Sequence, residues 1–187
     1  MARMRKKPVV GKKRKRRCPN CEQLFVPDDT RRIKQTCPFC GEVMLKPQTL
    51  KQLEDRAWKL FSRLARYLRA DKNGICSCAT CSTKKPWQDM DAGHYMSRVY
   101  SATKYDWDNV WPQCKMCNSG YGTRHWAPDE SIRESWKTFL EASLGPGAAD
   151  DLWRKAMDGG STKPRRSELE SMIFQLEMVC KQEGLPT

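Results

Sequence analysis

Eight of the ten cysteines in this 187-residue chain fall into four C-x-x-C pairs, and this restricts its possible folds more than any other feature. Each C-x-x-C loop presents two thiolates to one tetrahedral ion, so two loops complete a four-cysteine zinc site. Fifteen residues separate the pair Cys18 and Cys21 from the pair Cys37 and Cys40. That spacing is typical of a zinc ribbon and predicts one structural zinc ion.

The two remaining pairs predict a second structural zinc ion. Their members are Cys78, Cys81, Cys114 and Cys117. The pairs flank a segment that contains His94. One ion bound by all four thiolates would join a hairpin that carries His94 to a helix that begins near Asn118.

The cysteines could instead form a disulfide framework in a secreted protein. The N-terminal sequence has no apolar core for export, so we expect a reducing cytoplasm in which thiolates bind zinc. No stretch approaches the roughly 18 apolar residues of a membrane span, so we expect no membrane partner. Cys76 could replace Cys78 as a ligand, although C-x-x-C geometry favours Cys78. Cys180 fits a buried apolar position on the last helix.

Positive charge is concentrated at the N-terminus. The formal charge is +13, and residues 1–17 carry ten Lys and Arg and no acid, which leaves +3 for the rest of the chain. Such a segment attracts phosphate backbones by releasing counterions. We expect residues 1–17 to be a disordered tail that binds nucleic acid through cations such as Arg14, Arg16 and Arg17. A tail that only aids solubility or meets a membrane surface is the alternative.

Residues 49–70 predict an amphipathic helix with separate apolar and basic faces. The apolar residues recur at helical spacing; they are Leu53, Ala57, Leu60, Phe61, Leu64 and Leu68. The basic residues lie on another arc; they are Arg56, Lys59, Arg63 and Arg66. This helix could pack on the core while its cations contact phosphates, or the basic face could simply be solvated.

The chain beyond residue 127 is predicted to be helical. Two helices are separated by a break at Gly145, and the last helix has the clearest apolar stripe. That stripe consists of Leu169, Met172, Ile173, Leu176 and Val179. Ser167 and Glu170 match a capping box at the start of this helix. The stripe must be buried, either in the core of the chain or against a second copy.

These patterns predict an α+β fold with four regions. Residues 1–17 are the tail and residues 18–47 the zinc ribbon. Residues 49–127 combine the basic helix with a compact, zinc-stapled unit of two strands and a helix, because residues 75–127 lack a long helical period. Residues 128–187 form the helical C-terminal region.

His94 and nearby polar residues could hydrolyse a phosphodiester. An imidazole with a pKa of about 6.5 is largely neutral at pH 7 and can accept a proton from water. Asp91 and Asn118 offer the hard oxygen ligands that Mg²⁺ prefers, with Asp89 as the alternative to Asp91. The amide of Asn109 could bond the opposing backbone and hold the loop of His94. We predict His94 and Asn109 as the catalytic residues.

The order of these residues resembles the HNH, or His-Me finger, nucleases, with His94, Asn109 and Asn118 at the three signature positions. The stretch from Asp91 to Asn118 is similar to the lambdoid phage NinG (Rap) recombination nucleases, and the likeness covers roughly residues 50–125. The phage junction resolvase endonuclease VII has a related scheme in which the metal-binding aspartate directly precedes the histidine. Here that position is Gly93.

The resemblance implies an HNH-like core and an endonuclease, dependent on Mg²⁺ or Mn²⁺, that cuts branched recombination intermediates such as Holliday junctions and D-loops. It also implies a phage-encoded protein in the cytoplasm of the host cell. Two symmetric cuts in a junction would require a homodimer, and Arg98 could help to bind the DNA. The alternatives are a non-catalytic zinc-ribbon protein that binds nucleic acid during recombination, and a nicking or homing enzyme with sequence preference.

Overall fold

The computed structural model describes residues 15–26, 34–45, 47–119, 130–159 and 162–187. Within these ranges the chain forms six α-helices and four two-stranded antiparallel sheets, which agrees with the predicted α+β class. The chain divides into two compact units, Met1–Thr49 and Leu50–Thr187. None of the helices in the described ranges combines the length and the apolar character needed to cross a membrane. Arg14 and most of the predicted tail lie outside the described residues.

The first unit consists of two short hairpins. Strand β1 (Arg16–Arg17) pairs with β2 (Leu24–Phe25), and β3 (Lys34–Thr36) pairs with β4 (Val43–Leu45). Arg16 and Arg17, which the sequence placed at the end of the tail, form β1 instead. The buried cluster of this unit contains Cys18, Phe25 and Cys37. So small a core rarely stabilises a fold without a metal or a disulfide.

The second unit begins with helix α1 (Leu50–Tyr67), whose apolar face is buried largely as predicted. The prediction for Leu68 was wrong, because the helix ends at Tyr67 and the Leu68 side chain is 48% exposed. Ala65 is buried on the same face. Being small, it lets the last turn of α1 approach the core closely.

Two antiparallel hairpins follow α1. Strand β5 (Ile75–Ser77) pairs with β6 (Lys84–Pro86), and β7 (Asp91–His94) pairs with β8 (Val110–Gln113). In the second hairpin His94 lies opposite Val110 and Asp91 lies opposite Gln113. A short helix α2 (Ser101–Lys104) interrupts the connection between these strands, and α3 (Lys115–Asn118) directly follows β8.

Three longer helices complete the second unit. They are α4 (Glu130–Leu144), α5 (Ala148–Gly159) and α6 (Arg166–Gln182). Gly145 and Gly147 have φ angles of +106° and +83°, a backbone conformation that glycine adopts readily, and they separate α4 from α5.

Helix α6 packs against α1, and its apolar stripe is part of the main core. Leu169, Ile173 and Leu176 are buried there, as predicted, and so is Cys180. The predicted capping box was wrong by two residues. The helix starts at Arg166, and the carboxylate of Glu168 accepts a hydrogen bond of 2.7 Å from the backbone N–H of Arg165. Because the stripe is covered within the chain, it no longer supports a dimer interface.

Candidate functional site

Two groups of four cysteines are brought together within the described residues. In each group the four Sγ atoms lie within 4.8 Å of one another. Three of the Sγ–Sγ distances are 3.6 Å for Cys18–Cys40, 3.7 Å for Cys21–Cys37 and 3.8 Å for Cys81–Cys114. Zn–S bonds of about 2.3 Å in a tetrahedron require S–S separations of about 3.8 Å, whereas a disulfide bond is about 2.05 Å long. Both groups could therefore hold a zinc ion, at the positions that the sequence predicted.

Three of the four C-x-x-C loops share one backbone geometry. The N–H of the first cysteine donates to the carbonyl five residues later, and its own carbonyl accepts from the N–H four residues later. The residue at that fourth place has a positive φ, of 58° in Glu22, 75° in Gly41 and 59° in Ser82. For residues other than glycine this backbone conformation costs about 1–2 kcal/mol, so the surrounding structure must enforce it. Four thiolates bound to one ion would supply that constraint.

The second four-cysteine group joins hairpin β5–β6 to the start of α3. In the fourth C-x-x-C loop the carbonyl of Cys114 likewise accepts from the N–H four residues later, that of Asn118, at 2.9 Å, but this loop differs from the other three because Cys114 is the N-cap residue of α3. The backbone N–H of Cys114 also donates to Sγ of Cys78 at 3.3 Å. Asn118 directly follows Cys117, which would be the last ligand of the zinc ion. A zinc ion at this group would thus fix the position of the backbone at Asn118.

The environment of Cys78 favours the thiolate that zinc binds. Burial acts to raise the pKa of Cys78, but hydrogen bonds from the Thr80 hydroxyl and from the N–H of Cys114 outweigh it and lower the pKa to about 6. Cys76 is not in the group, and its Sγ donates to the carbonyl of Arg66 at 3.1 Å. The structure therefore selects Cys78 rather than Cys76 as the ligand.

His94 lies at the end of β7 with its ring fixed on two sides. Nε2 is 3.0 Å from the carbonyl oxygen of Lys104, at the end of α2, and the ring stacks on Trp58 of α1 with the centroids 4.9 Å apart. A carbonyl can only accept a hydrogen bond, so Nε2 carries the proton in the neutral ring. The lone pair of that tautomer is on Nδ1, which can then accept a proton.

The surroundings of His94 keep its ring neutral. Burial lowers the pKa of His94, the hydrogen bond to Lys104 partly opposes this, and the positive charges of Arg98 and Lys104 lower the pKa further. A histidine whose pKa lies below its ordinary value of about 6.5 is mainly neutral at pH 7. His94 is therefore in the protonation state that a general base requires.

The side chain of Asn109 is fully buried and fully hydrogen-bonded. Its Oδ1 accepts from the N–H of Met96 at 2.7 Å, and its Nδ2 donates to the carbonyls of Met96 and Thr103 at 3.0 and 2.8 Å. This is the contact with the opposing backbone that the sequence suggested. Because this side chain is buried and both its polar atoms are bonded to the backbone, Asn109 holds the loop after His94 in this geometry.

Asp91 and Asn118 are in direct contact, although 27 residues separate them in the chain. The amide Nδ2 of Asn118 donates to Oδ2 of Asp91 at 2.9 Å. Their two other side-chain oxygens are ligands of the class that Mg²⁺ or Mn²⁺ prefers. Asp89 lies in a short 3₁₀ turn, Trp87–Asp89, and is exposed.

The packing around Gly93 explains why no acid directly precedes His94. A Cβ atom on Gly93 would lie 2.3 Å from Oε1 and 2.9 Å from Cβ of Gln113, which is closer than real Cβ contacts allow. Side chains of a strand alternate between its two faces, so Asp91 is on the same face as position 93. Asp91 can therefore offer a carboxylate on the face where Gly93 has no space for one.

A cleft of about 480 Å³ is lined by residues of hairpin β7–β8 and of helix α3. Strand alternation places His94 and Asp91 on opposite faces of β7, yet His94 and Asn118 both line this cleft, together with Cys117. A phosphate in the cleft could thus be close to both the imidazole of His94 and the amide of Asn118.

Most of the predicted DNA-binding cations have partners within their own unit. On α1, Arg56 pairs with Glu177, Arg63 donates to the carbonyl of Pro186 and Arg66 donates to the carbonyl of Met90. Lys59 and Arg98 are exposed. In the first unit, Arg16 donates to Gln35 and Arg17 to the carbonyl of Glu22. Contact of these residues with DNA stays a prediction, and on α1 it would require some of the internal partners to be exchanged.

The two groups that hold the ring of His94 were not predicted from the sequence. Trp58 had one signal, since it lies at the border of the apolar stripe beside Ala57 and Phe61, but nothing indicated its partner. No sequence signal marks the carbonyl of Lys104, because every residue has a backbone carbonyl.

Models of known protein families, curated proteins and solved structures were compared with this chain, and none of them matches it. The resemblance to HNH and NinG nucleases therefore stays a prediction. The function must be inferred from the geometry of the site.

Proposed function

We propose that this protein is a metal-dependent DNA endonuclease with an HNH-like active site. The observation that carries the proposal is the placement of His94, whose Nε2 is hydrogen-bonded to the carbonyl of Lys104 and whose side chain lines the same cleft as Asn118. Asn118 in turn contacts Asp91, so the base shares the cleft with one of two hard oxygen donors that touch each other. Phosphodiester hydrolysis needs these two functions together.

In this mechanism Nδ1 of His94 accepts the proton of a water molecule that attacks the phosphorus atom. Lys104 and Trp58 keep the ring in the required orientation, and Asn109 holds the loop that follows it. Asp91 and Asn118 would hold Mg²⁺ or Mn²⁺, which neutralises charge on the phosphate and stabilises the departing oxygen when bound. The positive charge of Arg98 near the ring favours binding of the phosphate.

The two zinc ions would be structural in this proposal. Four cysteine ligands leave a tetrahedral ion no open position for water or substrate. The ion at the second group would fix α3, and with it Asn118, relative to hairpin β5–β6. Chemistry would take place beside the zinc group and not at the zinc ion.

The substrate class is inferred from the resemblance and from charge. The basic segment at residues 1–17 favours a polyanion, and the similarity to NinG nucleases suggests branched DNA in phage recombination within the host cytoplasm. Paired cuts across a junction would require two active sites and hence a homodimer. That dimer needs an interface other than the apolar stripe of α6, which the core covers.

The direct test is cleavage by the purified, zinc-loaded protein with Mg²⁺ or Mn²⁺. A four-way junction and a D-loop are expected to be cut faster than a linear duplex of the same sequence, and cut sites should not depend on arm sequence. Equal rates on linear duplex would remove the branch preference, and sequence-dependent sites would indicate a nicking or homing enzyme. Binding that falls steeply with salt, without cleavage of any DNA, would instead establish the non-catalytic zinc-ribbon protein.

Substitution of Asp91 by asparagine is expected to raise the Mg²⁺ concentration needed for half-maximal cleavage by at least about tenfold. Loss of a group that merely supports a ligand already costs 10–100-fold in metal affinity, and here the charged ligand itself is lost. The measurement is the rate of cleavage as a function of Mg²⁺ concentration. Asp89→Asn is the matched control and should behave like the wild type; a larger effect of Asp89→Asn would show that Asp89 holds the metal.

Cleavage is expected to continue at a lower pH than it would with a histidine of ordinary pKa. Because the pKa of His94 is lowered, the ring stays neutral as the pH falls through about 6.5, and activity is lost only below that lowered pKa. Trp58→Ala would hydrate the ring, raise its pKa and move the acidic limb of the pH–rate profile to higher pH. Trp58→Phe, which retains an aromatic cover, should move it less. An acidic limb that both variants leave unmoved would contradict this role of burial.

A further inference from the structure

The cleft beside His94 extends to helices α4 and α5, where its wall is apolar and aromatic. Its residues in this part include Trp136 and Ile132 of α4, Trp153 and Met157 of α5, and Tyr95 from the loop after β7. Its total volume of about 480 Å³ is within the range of small-molecule sites, roughly 300–1,000 Å³. A cleft of this volume is larger than is needed to hold one phosphate group and one attacking water molecule.

Trp153 is the unusual member of this wall. Helix α5 turns Ala149, Leu152 and Ala156 into the core, so packing of the helix does not need Trp153. The Trp153 side chain is 55% exposed, whereas Trp136 on the facing helix is 4% exposed and packs near Tyr95 with the centroids 6.3 Å apart. Trp153 therefore offers an exposed, flat apolar surface at the border of the cleft, and the described residues give this surface no aromatic packing partner.

Arg133 gives the α4 wall of the cleft a positive charge that suits a phosphate group. Among the described residues that line it, Arg133 is the one with a permanent charge, and no aspartate or glutamate is present. Arg133 is exposed, one residue from Ile132 at the start of α4. An aromatic surface for a base with a cation for the backbone is the combination by which proteins hold single-stranded nucleic acid.

We infer that this part of the cleft binds an unpaired nucleotide of the DNA substrate, with its base against Trp153 and its phosphate near Arg133. The inference rests on the proposed function, because it places this nucleotide next to the phosphate that is attacked by the water molecule from which His94 takes a proton. A base inside a duplex is covered by its neighbours on both faces, so Trp153 can stack only on a base that is unpaired or flipped out. The site would thereby favour substrates in which the cleaved bond adjoins a single-stranded flap or an opened branch point.

The test uses flap DNA with 2-aminopurine at the first unpaired position, bound without divalent cation so that it stays intact. Stacking on the indole is expected to quench the fluorescence of 2-aminopurine. Trp153→Ala should abolish the quenching and weaken flap binding by about tenfold or more, while affinity for linear duplex stays the same. Trp153→Phe should retain part of both effects. Phe174→Ala is the matched control, since Phe174 is 65% exposed on α6 and does not line the cleft.

Arg133→Gln provides a second, independent variant in case Trp153→Ala does not fold. It should weaken flap binding and reduce its salt dependence while the quenching of bound flap persists. Normal cleavage with no quenching, or flap affinity unchanged in both variants, would overturn the inference and leave the proposed nuclease standing. Failure to bind any DNA would overturn both. The wild type could also prove to be a dimer that does not quench 2-aminopurine and that Trp153→Ala converts to a monomer. That result would show that a second copy of the chain occupies the cleft, and it would likewise overturn the inference.

Discussion

Replacement of His94 by alanine is expected to slow DNA cleavage by about 100- to 10,000-fold, the usual contribution of a positioned general base. DNA affinity should stay near that of the wild type, because the ring is partly buried between Trp58 and Lys104 and contributes little surface to a bound strand. The measurement is the single-turnover rate on a four-way junction with saturating Mg²⁺, together with the dissociation constant of the same DNA without Mg²⁺.

The matched control for this variant is His125→Ala, because His94 and His125 are the two histidines of the sequence. It is expected to cleave at a rate near that of the wild type. Added imidazole should restore part of the activity of His94→Ala, since a small base can enter the space left by the ring. A merely structural role of His94 would not allow that rescue. Cleavage by His94→Ala at the wild-type rate would refute the mechanism.

Replacement of Cys114 by serine is expected to remove one of two zinc ions per chain and to unfold the second unit. Structural zinc sites bind with about 10–16 kcal/mol, which is comparable to the roughly 5–15 kcal/mol by which a typical domain is stable. Cys114 joins β8 to α3 and its N–H donates to Cys78, so its loss breaks the group where three elements meet. Zinc content by elemental analysis and unfolding followed by circular dichroism measure the two effects.

Cys76→Ala is the matched control, because Cys76 is as buried as Cys114 but lies outside the group. It should keep two zinc ions and lose only about 1 kcal/mol of stability from the small cavity. Chelation of zinc from the wild type should reproduce the effect of Cys114→Ser. Two zinc ions retained by Cys114→Ser, or cysteines found as disulfides by mass spectrometry, would contradict the assignment of this group.

The elements that could be predicted are those whose signal is local in the chain. A C-x-x-C loop places two thiolates on one side of a tight turn whatever surrounds it, so both zinc groups could be derived from spacing alone. Helical periodicity likewise identified the buried face of α1 and the stripe of α6. Predictions at helix ends failed, at Leu68 and at Ser167, because the last and first turns depend on packing and capping contacts that periodicity does not contain.

Tertiary structure decided which aspartate contacts Asn118. From sequence, Asp91 and Asp89 were both possible partners of Asn118. The contact of Asp91 with Asn118 and the collision of any Cβ at Gly93 with Gln113 follow from the register of β7 against β8. Strand register depends on pairing across the whole hairpin, and no residue near Asp91 in the chain encodes it.

The sequence alone thus determined the two four-cysteine groups, the helices and the candidate base at His94, because each depends on residues that are close together in the chain. Only the tertiary structure decided the tautomer and the lowered pKa of His94, and the cleft that Trp153 and Arg133 border. Those properties arise where distant segments pack together and exclude water, as α1 and α2 do around the ring. A hydrogen bond and the loss of hydration set the chemistry of that ring, and both depend on residues far from His94 in the chain.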